Sequence, residues 1–583
     1  MNIQDIWKAY RRQLIPVIFF GFLCALIFYP LIRNGFLFLL DWQVPHISGN
    51  PGFFPPNFIR WFFSLGNVLS LPLWLTEKLF FICLFFMMGV GMYLLAPRSA
   101  PAKLFAGMLY MLNPFIYSRF LFGQMTIVAA YALLPLFLWS LVRFLEKKTW
   151  QYGALSIVCL AFIIGTSIHF VPFVVLILIG LLLGTSAVRF GMPTRGDERW
   201  KTKKKGKVLL AVSILFFLVI TALGSRYWYP RIEVTVDRIG WNDFVEFKTN
   251  ADSTKGVLSA ALYTASLHGF WGEREGWYTL ATEVVPVWWL WEVILLGIVG
   301  IGIGAFVRRC FVSMRASHSG NDDADRIIPA AVLLCLGALS YVLALGLATP
   351  LSESMTRWLY DHIPLYAGFR DTQKWHALLV LSLAYFGGGG IAYVHETLLK
   401  RRDKINVWIR SVTLVLLCTV PLVLMPLMFG GFAGQIQVSQ IPPGWFTVRD
   451  MIRHDPEQSA RTLFLPWHQY LPTHFTQDRV VQNPAPWFFG PHILSGDNVE
   501  KGSIYTKSTR PESKLVERYI VQDRPSSGRL SWALNRLGVT YVILALEHDH
   551  SAYWWLFSHA DLKLLYRDEN IALFTHRKPL EYH

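Results

Sequence analysis

Residues able to do chemistry sit in a few short stretches of this chain. "FLFLLDWQVPHISGN", Phe36 to Asn50, places Asp41 directly after an apolar run, with Trp42, Gln43 and His46 behind it. "AGFRDTQKWH", Ala367 to His376, sets Arg370 and Lys374 around Asp371, just before His376. Two cations that close together can hold a phosphate or diphosphate by charge-assisted hydrogen bonds. Arg and Lys at a membrane helix end also reach for headgroups without any ligand, and both readings stay open. "HGFWGEREGWY", His268 to Tyr278, alternates aromatic and charged residues. Trp271 and Trp277 suit stacking on sugar rings, and Glu273 suits bonding hydroxyls. Anchoring of a loop at the membrane interface explains the same composition. Two short connections add Arg119 and Gln124 in "SRFLFGQ" and His169 in "GTSIHFVP". For His169 a hydrogen-bonded structural role is the simpler account.

The elements that must position these residues are set by composition. Of 583 residues, 54% are hydrophobic, 15% aromatic and only 16% charged. That is far more apolar surface than a soluble core needs, so the chain belongs in a bilayer. Eleven apolar windows have the length of a membrane-crossing helix. They centre on 14–33, 77–96, 104–120, 127–145, 151–168, 170–188, 208–224, 286–306, 327–348, 375–395 and 406–428. The first has no small-residue cleavage site and reads as a retained helix rather than a signal peptide.

Alternate connections carry the basic residues: Lys8/Arg11/Arg12, Arg98/Lys103, Arg143/Lys147/Lys148, the run at 189–207, Arg308/Arg309/Arg315/Arg326, and 400–404 with Arg410. This asymmetry predicts a cytoplasmic N-terminus and, after eleven crossings, an extracytoplasmic C-terminal region. It also accounts for the net charge of +16, so "KTKKKGK" is a membrane-surface run and not a nucleic-acid patch. Asp41 then lies outside. The six Cys residues (24, 83, 159, 310, 335, 418) fall in predicted spans or at a cytoplasmic edge, which excludes an outer disulfide framework.

Four outer segments are large enough for chemistry: 34–76, 225–285, 349–374 and 430–583. In the first, "PPNFIRWFFSLGNVLSLPLWLTEK" is amphipathic, Trp-bearing and broken by Pro72, as expected of interfacial helices that hold Asp41 at headgroup level. The domains are expected to divide at about 430, with 1–430 in the membrane and 431–583 as a small α/β domain. There "LNRLGVTYVILAL" reads as a helix then a buried strand, and "LKLLYRDENIALFTH" as two strands joined by a turn. That region has no CxxC, HExxH, P-loop, GxSxG or strand-borne GxGxxG, which argues against a self-contained enzyme in it.

This layout resembles the GT-C superfamily of membrane glycosyltransferases. The residues carrying the resemblance are Asp41 in "LLDWQVP", Arg119 to Gln124, His169, and Arg370 to Lys374, and the closing "LNRLGVTYVILAL" and "YRDENIALF" look like the outer domain of one GT-C-like group. The resemblance implies a helical polytopic fold and a polyprenyl-phosphate-linked sugar donor. It also implies an extracytoplasmic glycan, lipid or protein acceptor. Asp41 would be the general base that takes the acceptor hydroxyl's proton as the glycosidic bond forms. The leaving phosphate needs cations, which Arg119, Arg370 or Lys374 would supply. A single displacement of this kind inverts the anomeric centre. Trp42, Gln43, His46, Gln124, His169, Trp271, Glu273 and Trp277 would line the substrate. Where the family often has a second acid after the first, this chain has Trp42 and Gln43, leaving Glu77, the 225–285 loop or no second acid as alternatives. No cofactor is implied with certainty, and a divalent metal stays an open alternative. A transporter or flippase of lipid-linked glycan, or a non-catalytic glycan-binding relative, are the rivals. Against the transporter stands the lack of an internal repeat and the gathering of charges at span ends.

Overall fold

The computed structural model describes residues 3–45, 57–96, 99–191, 239–251, 256–315, 321–400, 406–454, 461–490, 492–498, 500–501, 504–505, 508, 510–522 and 525–576. Seven helical segments among them are long and apolar enough to cross a membrane: Leu14–Leu31, Leu73–Leu95, Met125–Lys147, Trp288–Ser313, Ile327–Leu345, Thr372–Lys400 and Val407–Leu424. Each falls on an expected apolar window. Of the remaining windows, 104–120 and 151–168 form shorter helices, 170–188 lies within the 22-residue helix Phe170–Gly191, and 208–224 lies outside the described residues.

The expected span at 104–120 is instead two helices, Ala100–Met111 and Pro114–Leu121. Asn113 is the cause. Its side chain caps the second helix by accepting from Ile116 N (3.0 Å), while its amide nitrogen donates to the carbonyls of Leu109 and Tyr110 at the end of the first. Pro114 takes the first helical position, where its missing N–H costs nothing. The interfacial helix is shorter than expected too. It covers Phe58–Val68, and "LWLTEK" belongs to the spanning helix that starts at Leu73.

The spanning helices pack closely where glycine faces backbone. A Cβ on Gly302 would collide with the carbonyl of Phe386, and one on Gly390 with that of Ile298. The helices Trp288–Arg315 and His376–Lys400 therefore meet backbone to backbone, as small residues allow between membrane helices.

The C-terminal domain holds nine described strands: β1 Arg461–Leu465, β2 Tyr470–Pro472, β3 Val480–Gln482, β4 Ile493–Leu494, β5 Glu500–Lys501, β6 Ile504–Tyr505, β7 Val539–Ala545, β8 Leu562–Arg567 and β9 Ile571–His576. Five make one sheet in the order β4-β1-β7-β9-β8. β1 runs parallel to β4 and β7, and β9 is antiparallel to β7 and β8. The expected helix-then-strand is Arg529–Leu537 followed by β7, with Gly538 at φ +67° ending the helix.

This domain is welded to the membrane part through residues 36–43. Phe36 exchanges backbone hydrogen bonds with Ser439 (2.8 and 2.9 Å), and Gln482 N donates to Leu40 O (2.9 Å). Arg479 donates to the carbonyls of Phe38 (3.2 Å) and Gln435 (2.9 Å). Phe36 and Phe38 both meet Trp487 edge-on.

Candidate functional site

Asp41 is half-buried at the junction of the two parts. Its backbone N–H donates to Phe122 O (2.9 Å), and its carboxylate accepts from Tyr470 Oη at 2.8 Å. The chain can turn there because of Gly123, whose φ is +72° and whose Cβ position lies 2.5 Å from Trp42 N and 3.0 Å from Asp41 N. Any side chain at 123 would push Asp41 away.

Below it, Glu77 is fully buried and accepts from Leu37 N (3.0 Å), Trp42 Nε1 (2.9 Å) and Lys78 Nζ (2.7 Å). A buried carboxylate is tolerated only when its lone pairs are so filled. Glu77 thus clamps the 36–43 loop from the membrane side and does not face the site as a second acid. Trp42 is 5% exposed and stacked on Phe80. Gln43 donates to the carbonyls of Gln482 (3.2 Å) and Asn483 (2.6 Å). Both residues were expected against substrate, and both are spent on holding the loop. His46 lies outside the described residues.

The second half of the site is a charged cluster. Arg119 is fully buried and grips Asp371 with both terminal nitrogens (Nη2 to Oδ1, 2.9 Å), while Nη1 also donates to Gln124 Oε1 (2.6 Å). Its guanidinium stands 4.4 Å from the Phe270 ring centre. Burial would raise the Asp371 pKa, but the charge and hydrogen bonds of Arg119, with the charge of Lys374, overcome this and hold it below its ordinary value. Gln373, with its amide nitrogen toward Asp371 Oδ1 (2.6 Å) and its oxygen toward Thr249 N (3.0 Å), completes the buried shell. Expected at the donor phosphate, Arg119 is therefore committed to Asp371.

Arg370 is half-exposed, bonded to Asp243 Oδ1 (3.2 Å) and stacked over Phe247. Lys374 donates to Gly368 O (3.2 Å) and, among the described residues, has no carboxylate within ion-pair distance. His169 sits edge-on to Phe369 (5.8 Å), with no hydrogen-bond partner among the described residues. Burial first, then the charge of Lys374, pushes its pKa well below the ordinary value, so its imidazole is neutral.

The two halves are contiguous. Asp41 bonds to Phe122, two residues before Gln124, which bonds to Arg119, which bonds to Asp371. The charge of Arg370 also acts on Tyr470, the donor to Asp41. Asp41, Gln124, His169, Arg370 and Lys374 each keep accessible surface, whereas Arg119, Asp371 and Gln373 form the buried support behind them.

The aromatic-acidic stretch divides. Trp271 is buried against Phe122 and Phe247. Glu273 is nearly buried and accepts from Gly269 N, Tyr263 Oη (3.0 Å) and Asn250 Nδ2 (3.3 Å), which closes its own loop. Trp277 is 37% exposed and stacks on Phe122, so of the three it alone offers an open face. Asp371 and Tyr470 are site residues that the sequence did not single out for a role. Asp371 was visible only as a neighbour of two cations, and nothing local marks Tyr470, which lies 429 positions from Asp41.

No protein-family model and no curated protein matches the chain. Thirteen solved chains do match in fold. Among them are two structures of arabinofuranosyltransferase AftD from mycobacteria. One aligns with a TM-score of 0.55 over 97% of this chain and 40% of that one, at 13% identity. The other, its R1389S mutant in a second class, aligns at 0.54 over 97% and 41%, also at 13% identity. This chain thus spans about two fifths of the length of the proteins it resembles. At this identity the likeness carries the architecture alone: a polytopic helical fold with an attached strand-containing domain, shared with those AftD chains.

Proposed function

We propose that this protein is a GT-C type membrane glycosyltransferase that moves a sugar from a polyprenyl-phosphate-linked donor to an extracytoplasmic glycan, lipid or protein acceptor, with inversion. The observation that carries the reading is the contiguity of a half-exposed carboxylate, Asp41, with a cationic patch in which Lys374 has no carboxylate partner among the described residues. Residues 1–430 are taken as the membrane part and 431–583 as the outer domain, with the N-terminus cytoplasmic.

In this reading Asp41 takes the proton of the acceptor hydroxyl as that oxygen attacks the anomeric carbon. The bond to the leaving phosphate breaks at the same time, and the phosphate keeps the electron pair. Lys374 and Arg370 meet the departing charge, while Arg119 acts behind them by fixing Asp371. Neutral His169 and Gln124 bond the sugar's hydroxyls, and Trp277 offers a stacking face. Tyr470 donates to Asp41 and orients its carboxylate.

Asp41→Asn keeps the shape and removes the basicity. Transfer from arabinofuranosyl polyprenyl phosphate, or another lipid-phosphate sugar the wild type uses, should fall by about a hundredfold to ten-thousandfold. The amount of folded protein in membranes should stay the same, because Asp41 makes its backbone contacts independently of charge. Near wild-type transfer by this variant would remove Asp41 from the chemistry.

A further inference from the structure

Ligands of α/β sheets gather beyond the carboxyl ends of adjacent parallel strands, where loops diverge and leave a crevice. In this protein β1 and β7 are such a pair. The loop leaving β1 brings His468, and the loop leaving β7 brings His548 and Asp549. One ligand atom from each lies within 4.8 Å of the others. His468 Nε2 is 3.2 Å from Asp549 Oδ2, and the His468 and His548 rings are 5.3 Å apart. The other oxygen of Asp549, Oδ1, is buried and has no hydrogen-bond partner among the described residues. Two imidazoles gathered round a carboxylate that still has an unfilled oxygen make a set of cation ligands.

We propose that His468, His548 and Asp549 bind a divalent transition-metal ion of the zinc class. Two imidazole nitrogens and one carboxylate oxygen suit zinc, whereas calcium and magnesium want oxygen shells. On binding, the metal takes the place of the hydrogen between His468 Nε2 and Asp549 Oδ2, and the neutral imidazole carries its one N–H at Nδ1. His548 is exposed and free to close the remaining distance. Three protein ligands leave a fourth position for water. The ion would also stiffen the loop that carries Tyr470, two residues after His468, since Asn483 ties His468 O (2.9 Å) to Gln43 (2.6 Å). The site stands independently of the glycosyltransferase reading.

The test uses the 583-residue chain in detergent, purified without a metal-affinity tag, stripped with chelator and dialysed against micromolar zinc. Wild type should retain about one zinc per chain by elemental mass spectrometry and melt at a higher temperature with zinc than without. His548→Gln and Asp549→Asn should each lower affinity by at least about tenfold to a hundredfold, as losing even an outer-shell partner does. His548→Gln changes an exposed side chain, so its folding is secure and its gel-filtration profile should match wild type. Equal zinc retention by wild type and His548→Gln, or none by either, overturns the site. Stabilisation by calcium or magnesium but not zinc overturns the metal class.

Discussion

Glu273 lies outside the candidate spans, and burial drives its pKa up to about 7 against the opposing bonds from Gly269, Tyr263 and Asn250. The sign of its contribution to stability follows from proton counting. Below about pH 4.5 the folded and unfolded states both hold the proton. Between there and about 7 only the folded state does, so raising the pH through this window destabilises the protein, with no further loss above it. Glu273→Gln is neutral throughout and should flatten the decline in melting temperature between pH 5 and pH 8. An unchanged slope in the variant would assign the decline to other groups. The same residue illustrates how burial redirects a side chain that resembled a sugar ligand: with its oxygens filled by Gly269, Tyr263 and Asn250, it shapes a loop.

At the scale of elements, the contact of helix Trp288–Arg315 with helix His376–Lys400 matters because the second begins just after Asp371 and Lys374. Gly302→Ala would drive a methyl group into the Phe386 carbonyl, whereas Gly304 faces open space. Overpacking of this kind costs about 1–3 kcal/mol. Gly302→Ala should therefore lower the melting temperature in detergent clearly, and Gly304→Ala should leave it close to wild type. Matching behaviour of the two variants would show that these helices do not meet through Gly302. The 36–43 loop is held differently, by Glu77 from below and by Gln482, Arg479 and Trp487 from above. Two elements far apart in sequence thus fix one catalytic candidate.

For the whole molecule, orientation is the claim on which the functional reading depends. In a background with the six native cysteines replaced, Ser526→Cys in the C-terminal domain should react with an impermeant maleimide added to intact cells. Thr202→Cys in the basic run at 189–207 should react only after the membrane is opened. The reverse pattern would place Asp41 and the cationic cluster on the cytoplasmic side and exclude an extracytoplasmic acceptor. The hydrogen bonds and aromatic contacts between residues 36–43 and 435–487 also make the two parts a single folded unit on the side where the site lies.

The sequence by itself determined the medium and most of the spans. Apolar windows of bilayer length are local signals, and hydrocarbon leaves a backbone few other options. It also revealed the closing strands, whose apolar and turn residues are contiguous. It marked Asp41, Arg370, Lys374 and His169 as worth attention because charges beside apolar helices are few. Tertiary structure alone decided their surroundings. Arg119 resembles Arg370 in sequence, yet one is sealed against Asp371 and the other keeps an open face. Trp42 and Gln43 follow Asp41 directly but serve Glu77 and Asn483. Tyr470 became Asp41's partner only because the C-terminal domain folds back onto the first loop. Such pairings depend on which surfaces lose water together, and no local pattern in a chain records that.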